Sequence, residues 1–316
     1  MKWEGRIDGT ESDVLRLHQV VKIMTLEELL LEENDMKKVC FVSFASDEGV
    51  RRNLGRLGAR NGWKHLKKMM ASFPVFYNDL SFYDLSEIIE VNDRDLEAGQ
   101  ARLAEVVEKL KEKDYLVVVL GGGHEVAFGT NMGIMNYALK KESNPKIGIV
   151  NFDAHFDMRS YENGPTSGTM FLQIADEYKL RGIDFNYNVF GIQKFSNTQR
   201  LFDVAKSHNV KYVRASELDS NTMDKFYDIA SNNDYVHLTI CTDVFLITSA
   251  PGVSAPQPLG ISPILAMKLL RKFCKYAKNL TIDIAEINPD YDADDRTSRL
   301  MASVLYELIL SHLEKE

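Results

Sequence analysis

Residues 151–159 read NFDAHFDMR and place Asp153, His155 and Asp157 at every second position, directly behind the apolar run KIGIV. Side chains alternate between the faces of an extended segment, so this spacing sends two carboxylates and an imidazole to one side. Grouped inside a fold, such groups are costly unless something positive sits between them. No capping geometry uses three of them at spacing two, so the triplet points to metal. Three further apolar runs end the same way: VVVLGGGHE in His124, HLTICTDVF in Cys241 and Asp243, and LTIDIAEINPD in Glu286. Taken singly, His124 reads as a turn residue, Asp243 as a strand-end cap and Glu286 as a solvated acid. Taken together they suit a hard to borderline divalent ion such as Mn²⁺, with Zn²⁺ or Fe²⁺ as alternatives. Up to six ligands exceed what one tetrahedral site needs, so the economical reading is a pair of ions that ionises a shared water.

The elements that must position these groups are short apolar runs at residues 38–44, 75–81, 115–121, 146–152, 186–192, 210–215, 235–243 and 279–287. Amphipathic stretches such as 95–113 and 262–278 lie between them. Strand-length runs alternating with helices imply βαβ units and a largely parallel sheet of about eight strands, covered on both faces. Outer helices are expected near the N-terminus, in about 11–35, and at the C-terminus, in SRLMASVLYELILSHLEK. No linker or repeat divides the chain, so 1–316 reads as one α/β domain. In open α/β sheets sites form beyond the carboxyl ends of the strands, where the four polar run-ends would converge.

Forty-six acidic against 38 basic residues give a net charge of −8, which argues against a nucleic-acid partner. The N-terminus has no signal-like apolar stretch and no run reaches ~18 apolar residues, so a cytoplasmic protein off the membrane is expected. Three widely spaced cysteines, Cys40, Cys241 and Cys274, make no disulfide framework.

The segments GGGHEVAFG, NFDAHFDMR, CTDVF…APGVSAP and DIAEINP resemble the ureohydrolases, the family of arginases, agmatinases and formimidoylglutamases. The resemblance runs from about residue 46 to 292 and implies a three-layer α/β fold around a parallel sheet and a binuclear Mn²⁺ site. By position it makes His124, Asp153, His155, Asp157 and Asp243 metal ligands, and Glu286 the acid that holds substrate nitrogens. It also implies a homo-oligomer, trimeric or hexameric. At the seventh-strand Asp-x-Asp the first acid, which bridges the ions in the family, is here Cys241. A thiolate at that place would ligate and shift preference towards softer ions such as Zn²⁺; an inert thiol would weaken the site.

Arginases and agmatinases carry an SGNxHG-like stretch after the triplet; here it is TSGTMF, with Thr169 and Phe171 in place of Asn and His. TSGTMF, HFDMR, GIQKFSN and APGVSAP are similar to formimidoylglutamases, which implies N-formimidoyl-L-glutamate as substrate and a place in histidine degradation. A dicarboxylate needs cationic or N–H donors, and Arg159, Lys194 and Asn197 are candidates, whereas Arg200 reads as solvated. In the expected reaction Glu286 and Arg159 orient the substrate and Asp157 carries a proton to the leaving amine. The alternatives are hydrolysis of another guanidino or amidino acid, and a weakly catalytic relative that binds metal or ligand. Arg51, Arg52 and Arg56 beside Asp47 and Glu48 read equally as a site or as a structural ion-pair network.

Overall fold

Buried on both faces, the apolar runs pair with one another as parallel strands. In the computed structural model, which describes residues 2–76, 79–219 and 222–314, nine strands form one sheet in the order β1-β3-β2-β4-β9-β8-β5-β6-β7. They are β1 (Lys22–Met24), β2 (Lys37–Ala45), β3 (Leu80–Glu90), β4 (Tyr115–Leu120), β5 (Ile147–Phe152), β6 (Asn186–Ile192), β7 (Lys211–Arg214), β8 (Tyr235–Cys241) and β9 (Leu280–Ala285). Every pairing is parallel. The expected three-layer α/β architecture is the one observed, with nine strands rather than about eight.

Alternation along the strands builds two cores. Val39 and Phe41 of β2 and Val118 and Leu120 of β4 point to a layer containing α4 (Gly62–Met70), α10 (Pro263–Tyr276) and α11 (Arg296–Leu313). Cys40, Val42 and Phe44, with Val117 and Val119, point the other way. There they meet α5 (Leu96–Glu112), α6 (Val126–Lys141) and α7 (Met170–Arg181). Local chemistry sets the helix ends: the Asp95 carboxylate accepts the Ala98 N–H (3.0 Å) at the start of α5, and Gly182 takes the left-handed conformation (φ 69°) that closes α7.

Two expectations shift. The run at 75–81 is not the strand; residues 77 and 78 lie outside the described residues, and β3 begins at Leu80. The N-terminal 11–35 region holds two short helices, α1 (Leu17–Val20) and α2 (Leu26–Leu31), with edge strand β1 between them. Among the described residues, no helix is long and apolar enough to cross a membrane.

Candidate metal centre and substrate cavity

The neighbours β4, β9, β8 and β5 occupy the middle of the sheet, and the chain leaves each of their carboxyl ends through one of the polar segments. After β4 the turn Gly121–Gly123 leads to His124. A Cβ on Gly122 would lie 1.7 Å from the Ser46 carbonyl oxygen, so only glycine lets these loops close on each other. After β9 comes Glu286, whose Oε1 accepts the His124 backbone N–H at 2.9 Å. Glu286 (φ 67°) and Asp157 (φ 49°) both sit in the left-handed region, a strained conformation retained where side-chain placement depends on it.

The strand-alternation reason for the triplet is corrected by the structure. Strand β5 ends at Phe152, so Asp153, His155 and Asp157 belong to the loop that follows. A turn gathers them: Asp153 Oδ1 accepts the His155 N–H at 2.8 Å, and the left-handed Asp157 folds its carboxylate back to 3.0 Å from His124 Nδ1. Likewise Cys241 ends β8 while Asp243 lies in the helical turn beyond it.

All six proposed ligands nonetheless converge. Donor atoms of His124, Asp153 and Cys241 lie within 4.8 Å of one another, and so do those of Asp153, His155 and Asp243. Two triads sharing Asp153 have the form of a two-ion centre. His124 Nδ1 stands 3.0 Å from both Asp153 and Asp157, and His155 Nδ1 stands 3.2 Å from Asp243. Asp243 Oδ1 and Glu286 Oε2 are buried with no hydrogen-bond partner, the condition of groups that await one. The donor set and these orphaned oxygens fit divalent cations.

The electrostatics agree. Burial pushes the Asp157 carboxyl up to about 6, aided by the nearby Asp153 charge. Burial, with Glu125 nearby, pushes Glu286 up to about 8. Burial also drives the Cys241 thiol well above its usual range, with Asp153 and Asp243 adding to it. At Asp153 burial acts upward but is outweighed by the His124 and His155 imidazoles, which hold the carboxyl below its usual range. The two imidazoles rise well above theirs, because their aspartate partners overcome burial. Protons occupy positions that a cation would take over.

A buried polar line supports His124. Its Nε2 is 2.9 Å from Thr239 Oγ1, and Thr239 donates its single hydroxyl proton to Asp283 Oδ1 at 2.5 Å. The hydroxyl must therefore accept from Nε2–H, which makes Nδ1 the nitrogen that faces the aspartates and would be free for an ion once its proton leaves. Asp283 Oδ2 is in turn 2.6 Å from His237 Nε2. Sequence reading missed Thr239 and Asp283; the available signal was polar residues at spacing two within fully buried runs.

The donors open into a cavity of about 230 Å³ that is also lined by Arg159, Asn53, Ser167 and Ser254. Phe171 meets the His124 ring edge-on at 5.6 Å and stacks on Tyr187 at 4.2 Å, so an apolar wall backs the imidazole. Glu286 and Arg159 line the cavity, whereas Lys194 and Asn197 do not. Asn197 is consumed by structure: it accepts the Phe156 N–H (3.0 Å) and donates to the Ala154 and Gln193 carbonyls (2.9 and 2.8 Å). It thereby pins the ligand loop to the segment after β6. Lys194 is exposed. The first basic cluster is structural: Arg51 and Arg52 both pair with Glu48, and Arg56 lies 5.0 Å over the Tyr291 ring.

This fold is that of a defined protein class. The model of the Arginase family matches residues 37–311, and the chain belongs to that family. A formimidoylglutamase of Fusobacterium nucleatum is 55% identical over 316 residues, covering 100% of this chain and 99% of that protein. The crystal structure of formimidoylglutamase from Bacillus subtilis superposes with a TM-score of 0.82 at 21% identity, covering 99% of this chain and 96% of that one. That of Trypanosoma cruzi formiminoglutamase with Mn²⁺ gives 0.79 at 21% identity, over 93% and 100% of the chains.

Proposed function

We propose that the protein hydrolyses N-formimidoyl-L-glutamate to L-glutamate and formamide at a Mn²⁺ centre, as a cytoplasmic step of histidine degradation. One observation carries the choice of substrate. Arg159 lines the same cavity as the cluster of acids, with no carboxylate within 4.0 Å of its guanidinium among the described residues. A cation without a carboxylate partner, sharing a cavity with the candidate metal donors, suits an amidine that carries acidic groups. Relatives that share 55% and 39% of their residues with this chain over nearly its full length bear the formimidoylglutamase name, which supports the same reading.

His124, Asp153, His155, Asp157, Asp243 and Cys241 would hold the ions, whose Lewis acidity makes water nucleophilic near neutral pH. The chain's own groups do the rest. Arg159 takes a carboxylate through its N–H donors, and Glu286 Oε2, which nearby cations would keep ionised, accepts N–H from the amidine, turning the planar carbon towards the acids. Water adds to that carbon, the C–N bond to the glutamate nitrogen breaks, and that nitrogen takes up a proton. Asp157, poised near 6 before metal enters, is the group placed to deliver it.

The test is turnover by Mn²⁺-reloaded protein of N-formimidoyl-L-glutamate, arginine and agmatine. Formation of glutamate and formamide from the first alone is expected, and Glu286→Gln should lower kcat/KM about a hundredfold or more. Turnover of arginine or agmatine instead would move the assignment to another substrate. No turnover with Mn²⁺, Zn²⁺ or Fe²⁺ would favour a non-catalytic relative, with Cys241 as the cause.

A further inference from the structure

The cavity mouth holds Arg159 in an unusual way. Its Nη1 donates to Asn53 Oδ1 at 3.1 Å, and Asn53 Nδ2 donates to Ser167 Oγ at 3.3 Å. These three residues line the cavity together. Asn53 is the better anchored partner. It ends α3 (Glu48–Arg52), where its backbone N–H bonds the Gly49 carbonyl at 2.9 Å. The preceding Arg52 ties this helix end down through Glu48, Glu97 and the Pro165 carbonyl. Gly168 leaves room for the pair: a Cβ there would crowd both Asn53 amide atoms and Arg159 Cδ at 3.3–3.4 Å. The Gly168 carbonyl also accepts the Arg159 backbone N–H at 3.0 Å, so the arginine is held at both ends.

The partner's neutrality is the informative feature. Arg102 and Arg181 rest on carboxylates, and Arg60, Arg94 and Arg200 have none within 4.0 Å among the described residues, but Arg159 lines the cavity with its guanidinium on a carboxamide. A carboxylate at the Asn53 position would fix the guanidinium equally well but cancel its charge. A carboxamide fixes it and leaves the charge, and the remaining N–H donors, for an incoming anion. We propose that Asn53 is a positioning residue for substrate specificity, holding Arg159 across the cavity mouth by a neutral hydrogen bond so that it receives a carboxylate of an acidic amidine substrate. The inference rests on the proposed function for the identity of that substrate, and on geometry alone for the class of ligand.

The experiment uses Mn²⁺-loaded full-length protein with Asn53→Ala, Asn53→Asp, Arg159→Gln and the double variant Asn53→Asp/Arg159→Gln. Two quantities are read: KM for N-formimidoyl-L-glutamate, and Kd for glutarate, a dicarboxylate that needs no turnover. Both should rise about tenfold in Asn53→Ala and further, by about a hundredfold overall, in Asn53→Asp, while bound Mn²⁺ per chain stays that of the wild type. With Arg159 already removed, Asn53→Asp should change glutarate binding by less than about threefold, since the acid then has no cation to capture. Equal effects of Ala and Asp, or a full Asp penalty that persists without Arg159, would overturn the inference. If the wild type binds glutarate on this ladder but does not turn over the substrate, the proposed function fails and the role of Asn53 stands. If it turns the substrate over and the ladder is flat, the reverse holds.

Discussion

At the scale of single residues, the proposed metal centre would depend on groups that touch no ion. His124 can present Nδ1 only if Nε2 keeps its proton, and Thr239 enforces this by spending its own proton on Asp283. Thr239→Val keeps the shape and removes the acceptor. It should weaken Mn²⁺ binding about tenfold or more, as read by the titration of free Mn²⁺, and Thr239→Ser should restore it. Equal affinity in wild type and Thr239→Val would show that the tautomer is held some other way. Asn197 belongs to the same category. Its type and its place after the fifth apolar run suggested a substrate contact, but its amide is fully engaged by three backbone groups.

At the scale of elements, what could be read along the chain was what local pattern controls. Strand β4 is six buried residues in a row, and its continuous apolar run marks it as a strand without any partner in view. Strand β3 hid because it carries Asp84 in its interior, and that charge is buried only by distant help: Lys67 at 2.6 Å and the Trp3 indole at 2.8 Å. The triplet was legible in composition, but turn geometry rather than strand alternation assembles it. Asn53 gave no local signal, since its meaning depends on residues more than a hundred positions away. The short helix α3 that carries it is held by Glu48, whose carboxyl the Arg51 hydrogen bonds, with Arg52, pull down to about 2 against burial. A depressed carboxyl pKa contributes stability above its ordinary 4.5 that is lost as pH falls towards 2. Glu48→Gln should therefore cost roughly 1–3 kcal/mol at pH 7. The gap in urea midpoint between wild type and variant should shrink near pH 3.5; a gap of the same size at both pH values would assign the cost to shape instead of charge.

At the scale of the whole molecule, the middle of the sheet gathers Asp153, Asp157, Asp243, Glu286 and two imidazoles at the carboxyl ends of four adjacent strands, so metal binding and folding stability are linked. The sign follows from the shifts. His124 and His155 bind protons more tightly folded than unfolded, so the stability they contribute is fully present below about 6.5 and is lost as pH rises through their folded values. Asp157 and Glu286, raised to about 6 and about 8, act in the same direction, because ionising them in the fold costs more than in the open chain. The lowered Asp153 opposes only at strongly acid pH. Chelated protein should thus lose Tm between pH 6 and 8. Mn²⁺, which replaces those protons and binds only the folded chain, should add about 2.7 kcal/mol at a hundredfold excess over Kd, roughly 4 °C for a chain of this length. Binding releases protons, so at one fixed Mn²⁺ concentration the increment must grow with pH over the same interval. Calorimetric scans with and without Mn²⁺ at pH 6, 7 and 8 measure it. An increment of constant size would mean that the ions do not displace the buried protons, and the two triads would then not be the sites they occupy.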